Sequence, residues 1–522
     1  MHDVVAIPTI ADLSRHHAGI RPGRVALIFE DETLTYGALD HRANQVANGL
    51  LAAGLKPAAR VAQLSKNAPN YFELLYGATK SRTVLVPVNF RLAPPEIAFV
   101  INDAKAEILF VGRDFYAVIE GIRGELNTVR QIVALDGGHA DWPDYAAWRD
   151  GQNAIDPKLP VQSSDVAVQM YTSGTTGHPK GAQLTHHNFM ALLPRALQEW
   201  GLWSDDDVVL VCMPLFHIAG GGWGLVGLFC GVPNLITRDI DPAAILAAIP
   251  KYRITKALFV PAVILFLLQT PGCAETDFSS LDLIAYGASP IPLDLLKRAI
   301  ATFNCGFVQL YGLTETTGGI TYLPPEDHGE HAGQRMKSCG KPMPGVEIEI
   351  RDAEDKALPP GEVGEIVCRS PQIMAGYWNL PEATAKSIRK GWFYTGDAGY
   401  LDADGYLYIY DRVKDMIVSG GENIYPAEVE SALFGHPAIA DVAVIGVPDE
   451  KWGEAVKAVV VRKPGAEISA EGLIAFARTR IAGYKVPKSV DFVQALPRNP
   501  SGKLLKREIR KPYWVNRERQ VN

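Results

Sequence analysis

Between residues 25 and 110 the chain alternates strand-like and helix-like stretches, and this order narrows its fold to a small set. Val25 to Phe29 is strand-like. Thr35 stands at an N-cap position before a helical stretch from Tyr36 to Ala53, which Gly54 stops. Val61 to Leu64, Tyr71 to Lys80 and Val84 to Val88 continue the alternation. A helix is expected after Pro94-Pro95, then a strand over Ala106 to Phe110. Strands that alternate with helices in this way imply a mostly parallel sheet covered on both faces, with ligands at the carboxyl ends of the strands. A chain of 522 residues is too long for one hydrophobic core, so two or more domains are expected.

The rest of the chain extends this plan. Residues 136 to 164 are irregular and read as a surface excursion. The most apolar run, Ala257 to Leu268, contains Pro261 and reads as a buried strand passing into a helix. It is shorter than the ~20 residues that span a bilayer. Residues 340 to 410 are β-rich, with turns such as Pro359-Pro360-Gly361. The tail is a compact α/β piece: strands over Val442 to Val447, Ala455 to Val461 and Ser489 to Val493, and a helix over Glu471 to Ile481.

One segment cannot be the interior of a helix or strand. Tyr171-Thr172-Ser173-Gly174-Thr175-Thr176-Gly177-His178-Pro179-Lys180-Gly181 packs hydroxyls, glycines and a lysine into eleven residues. It follows a strand-like run, Asp165 to Tyr171, and precedes a helix expected from about Asn188. A glycine-rich turn after a strand lets backbone N–H groups converge on an anion, and hydroxyls and a lysine add donors and charge. It departs from the nucleotide P-loop G-x-x-x-x-G-K-[ST], because Gly181 follows Lys180.

This segment resembles the phosphate-binding signature of the adenylate-forming superfamily: acyl-CoA synthetases, peptide-synthetase adenylation domains and luciferases. Further motifs follow in the family's order, and the whole pattern is most similar to bacterial fatty-acyl-CoA and aryl-acyl-CoA synthetases. The resemblance implies an α/β fold with a large N-terminal domain of doubly wound sheets plus a β-rich subdomain, hinged to a small C-terminal α/β domain. The expected boundaries are 1–412 for AMP and acyl binding and 413–522 for the mobile part.

It also implies roles. Thr172, Ser173, Gly174, Thr175, Thr176, Gly177 and Lys180 would hold the phosphates of ATP. In Pro214-Leu215-Phe216-His217, a histidine between aromatic and small apolar residues is more often a packed core residue than a ligand. The family's histidine here borders the acyl pocket, a role carried to His217, with Ile218 and Ala219 beside it. Gly287, Ala288 and Ser289, after a strand, are a close-approach site for adenine and the pocket floor. Tyr311-Gly312-Leu313-Thr314-Glu315-Thr316 matches the family's Tyr-Gly-x-Thr-Glu motif. An aromatic ring can stack on adenine, and Thr314 or Thr316 can bond the α-phosphate. Glu315 can hold Mg²⁺, a hard cation that prefers oxygen. Gly312, Gly318 and Gly319 would shape the acyl pocket. Small residues there and at 220–222 imply room. Asp397 would accept from the ribose hydroxyls, and Arg412 would reach ribose and phosphates. Lys414 is the hinge. Gly420 and Gly421 would let the pantetheine arm of coenzyme A pass, and Trp452, Lys488 and Arg91 resemble CoA contacts. Lys503, in Pro497-Arg498-Asn499-Pro500-Ser501-Gly502-Lys503, matches the catalytic lysine.

The expected reaction is ATP-dependent joining of an acid to CoA through an acyl-AMP, with a medium- or long-chain fatty acid as substrate. An aryl or phenylpropenoic acid is the alternative. A non-catalytic acyl or nucleotide binder would lack Lys503, Glu315 or the loop hydroxyls, and all are present. A kinase would release ADP. Net charge is −7 with no basic block, against nucleic acid as main partner. Six scattered cysteines without a C-x-x-C pair argue against a disulfide or zinc framework and favour the cytoplasm. No signal-peptide pattern or integral membrane segment is read. A homodimer is the assembly considered, and the sequence does not decide it.

Overall fold

The computed structural model of the protein describes residues 7–172, 179–412, 415–419, 422–449, 452–498 and 504–515. Ser173, Gly174, Thr175, Thr176, Gly177, Lys414, Gly420, Gly421 and Lys503, and the side chain of Arg412, lie outside the described residues.

The described strands form four sheets. The first runs Lys341–Pro342, Gly318–Leu323, Gly306–Leu313, Leu283–Gly287, Lys256–Phe259, Val209–Val211, Asn234–Ile236, Val25–Phe29, Glu32–Thr35. It is parallel from Gly306–Leu313 to Val25–Phe29 and antiparallel at both edges. The second runs Gly376–Tyr377, Lys180–Thr185, Val166–Thr172, Val84–Pro87, Arg60–Leu64, Ala106–Val111, Gln131–Ala134. The β-rich region forms a third, antiparallel sheet around Trp392–Leu401. The chain end forms the fourth around Ile439–Asp449 and Gly453–Arg462.

The opening alternation is therefore real but is split between two sheets. Val25–Phe29 pairs with Asn234–Ile236, far along the chain, whereas Arg60–Leu64 pairs with Val84–Pro87 and Ala106–Val111. The helix Tyr36–Ala52 links the two sheets. Thr35 caps it, its Oγ1 accepting the Ala38 N–H at 3.2 Å. Gly54 follows at φ +79°, a left-handed conformation that ends a helix cheaply.

One large apolar cluster lies between these sheets, and the helices Asn70–Lys80 and Ile218–Cys230 are embedded in it. These two helices touch closely. A Cβ on Gly224 would sit 2.5 Å from the Phe72 ring, and one on Gly221 would sit 2.6 Å from the Tyr71 hydroxyl. The excursion at 136–164 is more anchored than expected. Its helix Tyr145–Asp150 puts the Tyr145 hydroxyl and Arg149 Nη1 on Glu73 Oε2, at 2.8 and 2.9 Å. In the C-terminal sheet, successive residues of one strand serve opposite faces. Val442 and Val444 join one apolar cluster, and Ala443 and Ile445 join another. This sheet has its own core on both faces, as a small separate domain requires.

Candidate active site

The glycine-rich segment does not lead from strand to helix. Val166–Thr172 and Lys180–Thr185 pair antiparallel, with Thr172 opposite Lys180, so the described chain resumes as a second strand. The helix follows at His186–Glu199, capped by Thr185. Thr172 and Lys180 are thus held on adjacent strands at one end of the second sheet.

A turn of the first sheet meets this strand pair. After Gly306–Leu313 the chain makes one tight turn, Thr314–Thr316, before returning as Gly318–Leu323. Glu315 in that turn is buried. Its Oε1 accepts from the Thr172 hydroxyl at 3.3 Å and from the Tyr377 hydroxyl at 2.8 Å. Lys180 Nζ lies 5.1 Å above the Tyr377 ring. Tyr377 was absent from the sequence reading. It reaches the site because Gly376–Tyr377 pairs with Lys180–Thr185 and the Met374 N–H donates to Glu315 O. Both hydroxyls occupy one oxygen of the Glu315 carboxylate and leave Oε2 for a cation. Mg²⁺ is commonly held by one or two carboxylates together with substrate phosphates. Glu315 supplies the one, so the residues present fit that ion. No cluster of three or more metal-binding side chains exists among the described residues.

Thr316 does something other than expected. It is fully buried, and its hydroxyl accepts the Leu313 N–H at 2.8 Å and lies 2.7 Å from Gly318 O. It fastens the turn that presents Glu315 and has no free face for a phosphate. Thr314, in the same turn, is half-buried.

Tyr311 and Asp397 are brought together. The phenol donates to Asp397 Oδ2 at 2.8 Å, and both residues are buried. Asp397 is also the cross-strand partner of Arg412. Gly287 ends its strand, and Ala288 follows at φ +66° with Ser289 half-buried behind it. The glycines at 287 and 312 are required by backbone approach. An added Cβ would lie 2.1 Å from Leu310 O at the first and 1.8 Å from Gly318 O at the second.

Beside the turn lies an apolar pocket of about 600 Å³ counted to its open mouth. Ile218, Ala219, Gly287, Ala288, Gly312, Gly318 and Gly319 line it, as the motifs imply. The trio at 220–222 does not simply make room. Gly220 packs on Pro214 O, where a Cβ would come within 2.2 Å, and Gly221 on Tyr71; only Gly222 faces the pocket. Gly318 and Gly319 face Leu192 and Trp200, each within 3.2 Å of an added Cβ, so that end is furnished with large side chains. Leu192, Trp200, Trp223 and Tyr286 are walls that the sequence reading missed.

His217 sits just outside this lining, as the residue that begins the helix Ile218–Cys230. Its Nε2 is buried without a hydrogen-bond partner. Burial, with the Arg91 charge second, pushes the imidazole down to about 4, so it is neutral at pH 7. Arg91 itself lies 5.4 Å from the Phe90 ring, and Phe90 packs edge-on against Phe216 at 5.2 Å. Arg91, Phe216 and His217 are thus one neighbourhood.

In the C-terminal sheet Trp452 is exposed, and its backbone N–H donates to Asp449 Oδ1 at 2.9 Å. Ser419, the last described residue before Gly420, is the partner of Gly453. Trp452 therefore adjoins the strand end that leads to the two glycines. Lys488 is exposed, tied by its N–H to Val456 O at 2.8 Å. Arg498 and Leu504, which flank Lys503, are bridge partners. Asp415, just after the expected hinge, accepts from Arg510 Nη2 at 2.5 Å.

Residues 14–378 match the model of the AMP-binding enzyme family, and residues 428–503 match the AMP-binding enzyme C-terminal domain. The chain belongs to the AMP-binding enzyme family. It is an enzyme of the acid–thiol ligase class, with that family's large N-terminal and small C-terminal domains. Among its relatives, the fatty acid–[acyl-carrier-protein] ligase ScoC of Streptomyces coeruleorubidus is 41% identical over 520 residues, 99% of this chain and 98% of that one. The feruloyl-CoA synthase of an Amycolatopsis species is 40% identical, covering 96% of this chain and 97% of its own. The crystal structure of ATP-bound MatB from Rhodopseudomonas palustris superposes with a TM-score of 0.88 at 31% identity, covering 96% and 99%. No described helix is long and apolar enough to cross a membrane.

Proposed function

We propose that this family member is an AMP-forming acid–CoA ligase. A carboxylate oxygen attacks the α-phosphorus of ATP, the bond to pyrophosphate breaks, and an acyl-AMP forms. The thiolate sulfur of coenzyme A then attacks the acyl carbon, and AMP leaves with the bonding electrons. The observation that carries this reading is one of construction. Residues 310–319 form both a wall of the apolar pocket and the turn that presents Glu315 to Thr172. An apolar acid and a phosphate site are thereby built from the same ten residues.

Thr172, Lys180 and the loop between them bind the phosphates. Glu315 would hold Mg²⁺, which when bound neutralises phosphate charge. Tyr377 orients Glu315 by its hydrogen bond. Tyr311 and Asp397 flank the nucleoside, and Arg412 assists at the ribose. His217, neutral, borders the acid where its carboxylate enters. Lys503 bridges the acid and the α-phosphate during adenylation. Rotation about Lys414 then replaces it with Gly420 and Gly421, past which the pantetheine reaches the acyl-AMP. Trp452, Lys488 and Arg91 serve the CoA nucleotide.

For the acid we favour a compact apolar one, a medium-chain fatty acid or a phenylpropenoate, over a long chain. Two indoles and a tyrosine ring furnish the pocket wall, and flat rings fit flat walls. A second reading concerns the thiol. ScoC, named for ligation to an acyl-carrier protein, covers nearly the whole chain, so the acceptor pantetheine could be protein-borne. The test is chromatography of products after incubation with ATP, Mg²⁺, an acid panel and either CoA or a pantetheinylated carrier protein. AMP and acyl-CoA are expected. Thioester on the carrier alone would favour the second reading, and no thioester on either would reject both.

A further inference from the structure

The polar side chains of the acyl pocket are committed elsewhere, with one exception. Trp223 Nε1 donates to Leu210 O at 3.1 Å. The Tyr286 hydroxyl pairs with His328 Nε2 at 2.9 Å, and Thr317 donates to Gln372 O at 2.7 Å. Trp200 follows the helix His186–Glu199 and is 4% exposed, with its ring edge against Gly319. Its Nε1 is buried and has no acceptor. Native interiors pair the large majority of buried side-chain polar groups, and leaving one unpaired is costly. An indole N–H is a donor only, so its missing partner must be an acceptor.

We infer that Trp200 is the specificity donor of this pocket, and that the acid activated here carries a hydrogen-bond-accepting oxygen on its distal part: a ring ether or hydroxyl, or a ketone. The inference rests on the acid-activating reading above and sharpens it. An acid without that oxygen leaves the indole N–H unpaired in the bound state and forfeits the interaction. A distal ammonium, which cannot accept, is rejected for the same reason. Discrimination arises because the remaining wall is hydrocarbon, backbone glycine or already bonded.

Two isosteric or near-isosteric pairs test this: 4-methoxycinnamate against 4-ethylcinnamate, and 9-oxodecanoate against decanoate. Each is assayed for acid-dependent pyrophosphate release by the full chain, with kcat and KM measured separately. The expected result is a kcat/KM about tenfold or more higher for the oxygenated member of at least one pair, carried mainly by KM; tenfold corresponds to 1.4 kcal/mol. In Trp200→Phe that ratio falls to about one, whatever the variant's overall rate. Equal kcat/KM within both pairs for the unaltered protein overturns the inference, and so does a preference that survives Trp200→Phe. Either result with pyrophosphate still released leaves the ligase reading intact. Absence of AMP with every acid removes that reading and this inference together.

Discussion

At the scale of single residues, hydrogen bonds between distant strands fix the carboxylates of the candidate site. Glu315 is oriented by two hydroxyls from two different strands, Thr172 and Tyr377. In the proposed mechanism Lys503 supplies positive charge where the transition state concentrates negative charge. Removing one preorganised donor of this kind costs ~10²–10³ in rate. Lys503→Ala should lower acyl-AMP formation by that order and leave thioester formation from supplied acyl-AMP within a few-fold. Single-turnover assays of each half-reaction check it, and equal loss in both would contradict the role. Glu315, Tyr311 and Asp397 were singled out because each stands in a short motif, and the structure brings Glu315 to Thr172 and Tyr311 to Asp397. Tyr377 was not, because its role depends on pairing with Lys180–Thr185, nearly two hundred residues earlier. The turn-sealing bonds of Thr316 were not visible in the sequence, because a hydroxyl that seals its own turn has the same sequence neighbours as one that reaches a ligand.

At the scale of elements, glycines do two different jobs in the helix Ile218–Cys230. Gly221 and Gly224 admit Tyr71 and Phe72 from the helix Asn70–Lys80, whereas Gly222 faces the pocket and would meet only the Ile218 side chain at 3.3 Å. Gly224→Ala should therefore cost ~1–3 kcal/mol of stability by overpacking. Gly222→Ala should leave the urea midpoint nearly unchanged and shift the acid preference toward smaller members of the panel. Equal loss of stability in the two variants would contradict this division. The sequence shows three glycines in a row but not which way each missing Cβ points, so it read all three as space. The second strand was hidden for a related reason. Lys180–Thr185 is short and half polar, and its partners Val166–Thr172 and Gly376–Tyr377 make it a strand.

At the scale of the whole molecule, strand and helix order was enough to give the class, since each segment's period is local. It could not show that Val25–Phe29 joins a different sheet from Arg60–Leu64, because that depends on partners far along the chain. Burial across these sheets also sets an acid limit. His17, His186 and His328 are buried, and desolvation lowers each to about 4. Unfolded, each returns to about 6.5. Between those values the unfolded chain binds more protons, so stability rises with pH, by up to about 1.4 kcal/mol per pH unit for each histidine, and is lost as pH falls toward 4. The urea midpoint should be lower at pH 5 than at pH 7.5, and an unchanged midpoint would contradict the buried neutral state of these rings.

The central claim is that an acid is made reactive by transfer of AMP, before any thiol is present. Pyrophosphate exchange tests it most directly: the purified full chain with ATP, Mg²⁺, labelled pyrophosphate and a panel of fatty and aryl acids, without CoA. The account predicts label entering ATP only when a fitting acid is present. No acid-dependent label with any member of the panel, or ADP as the nucleotide product, would contradict it.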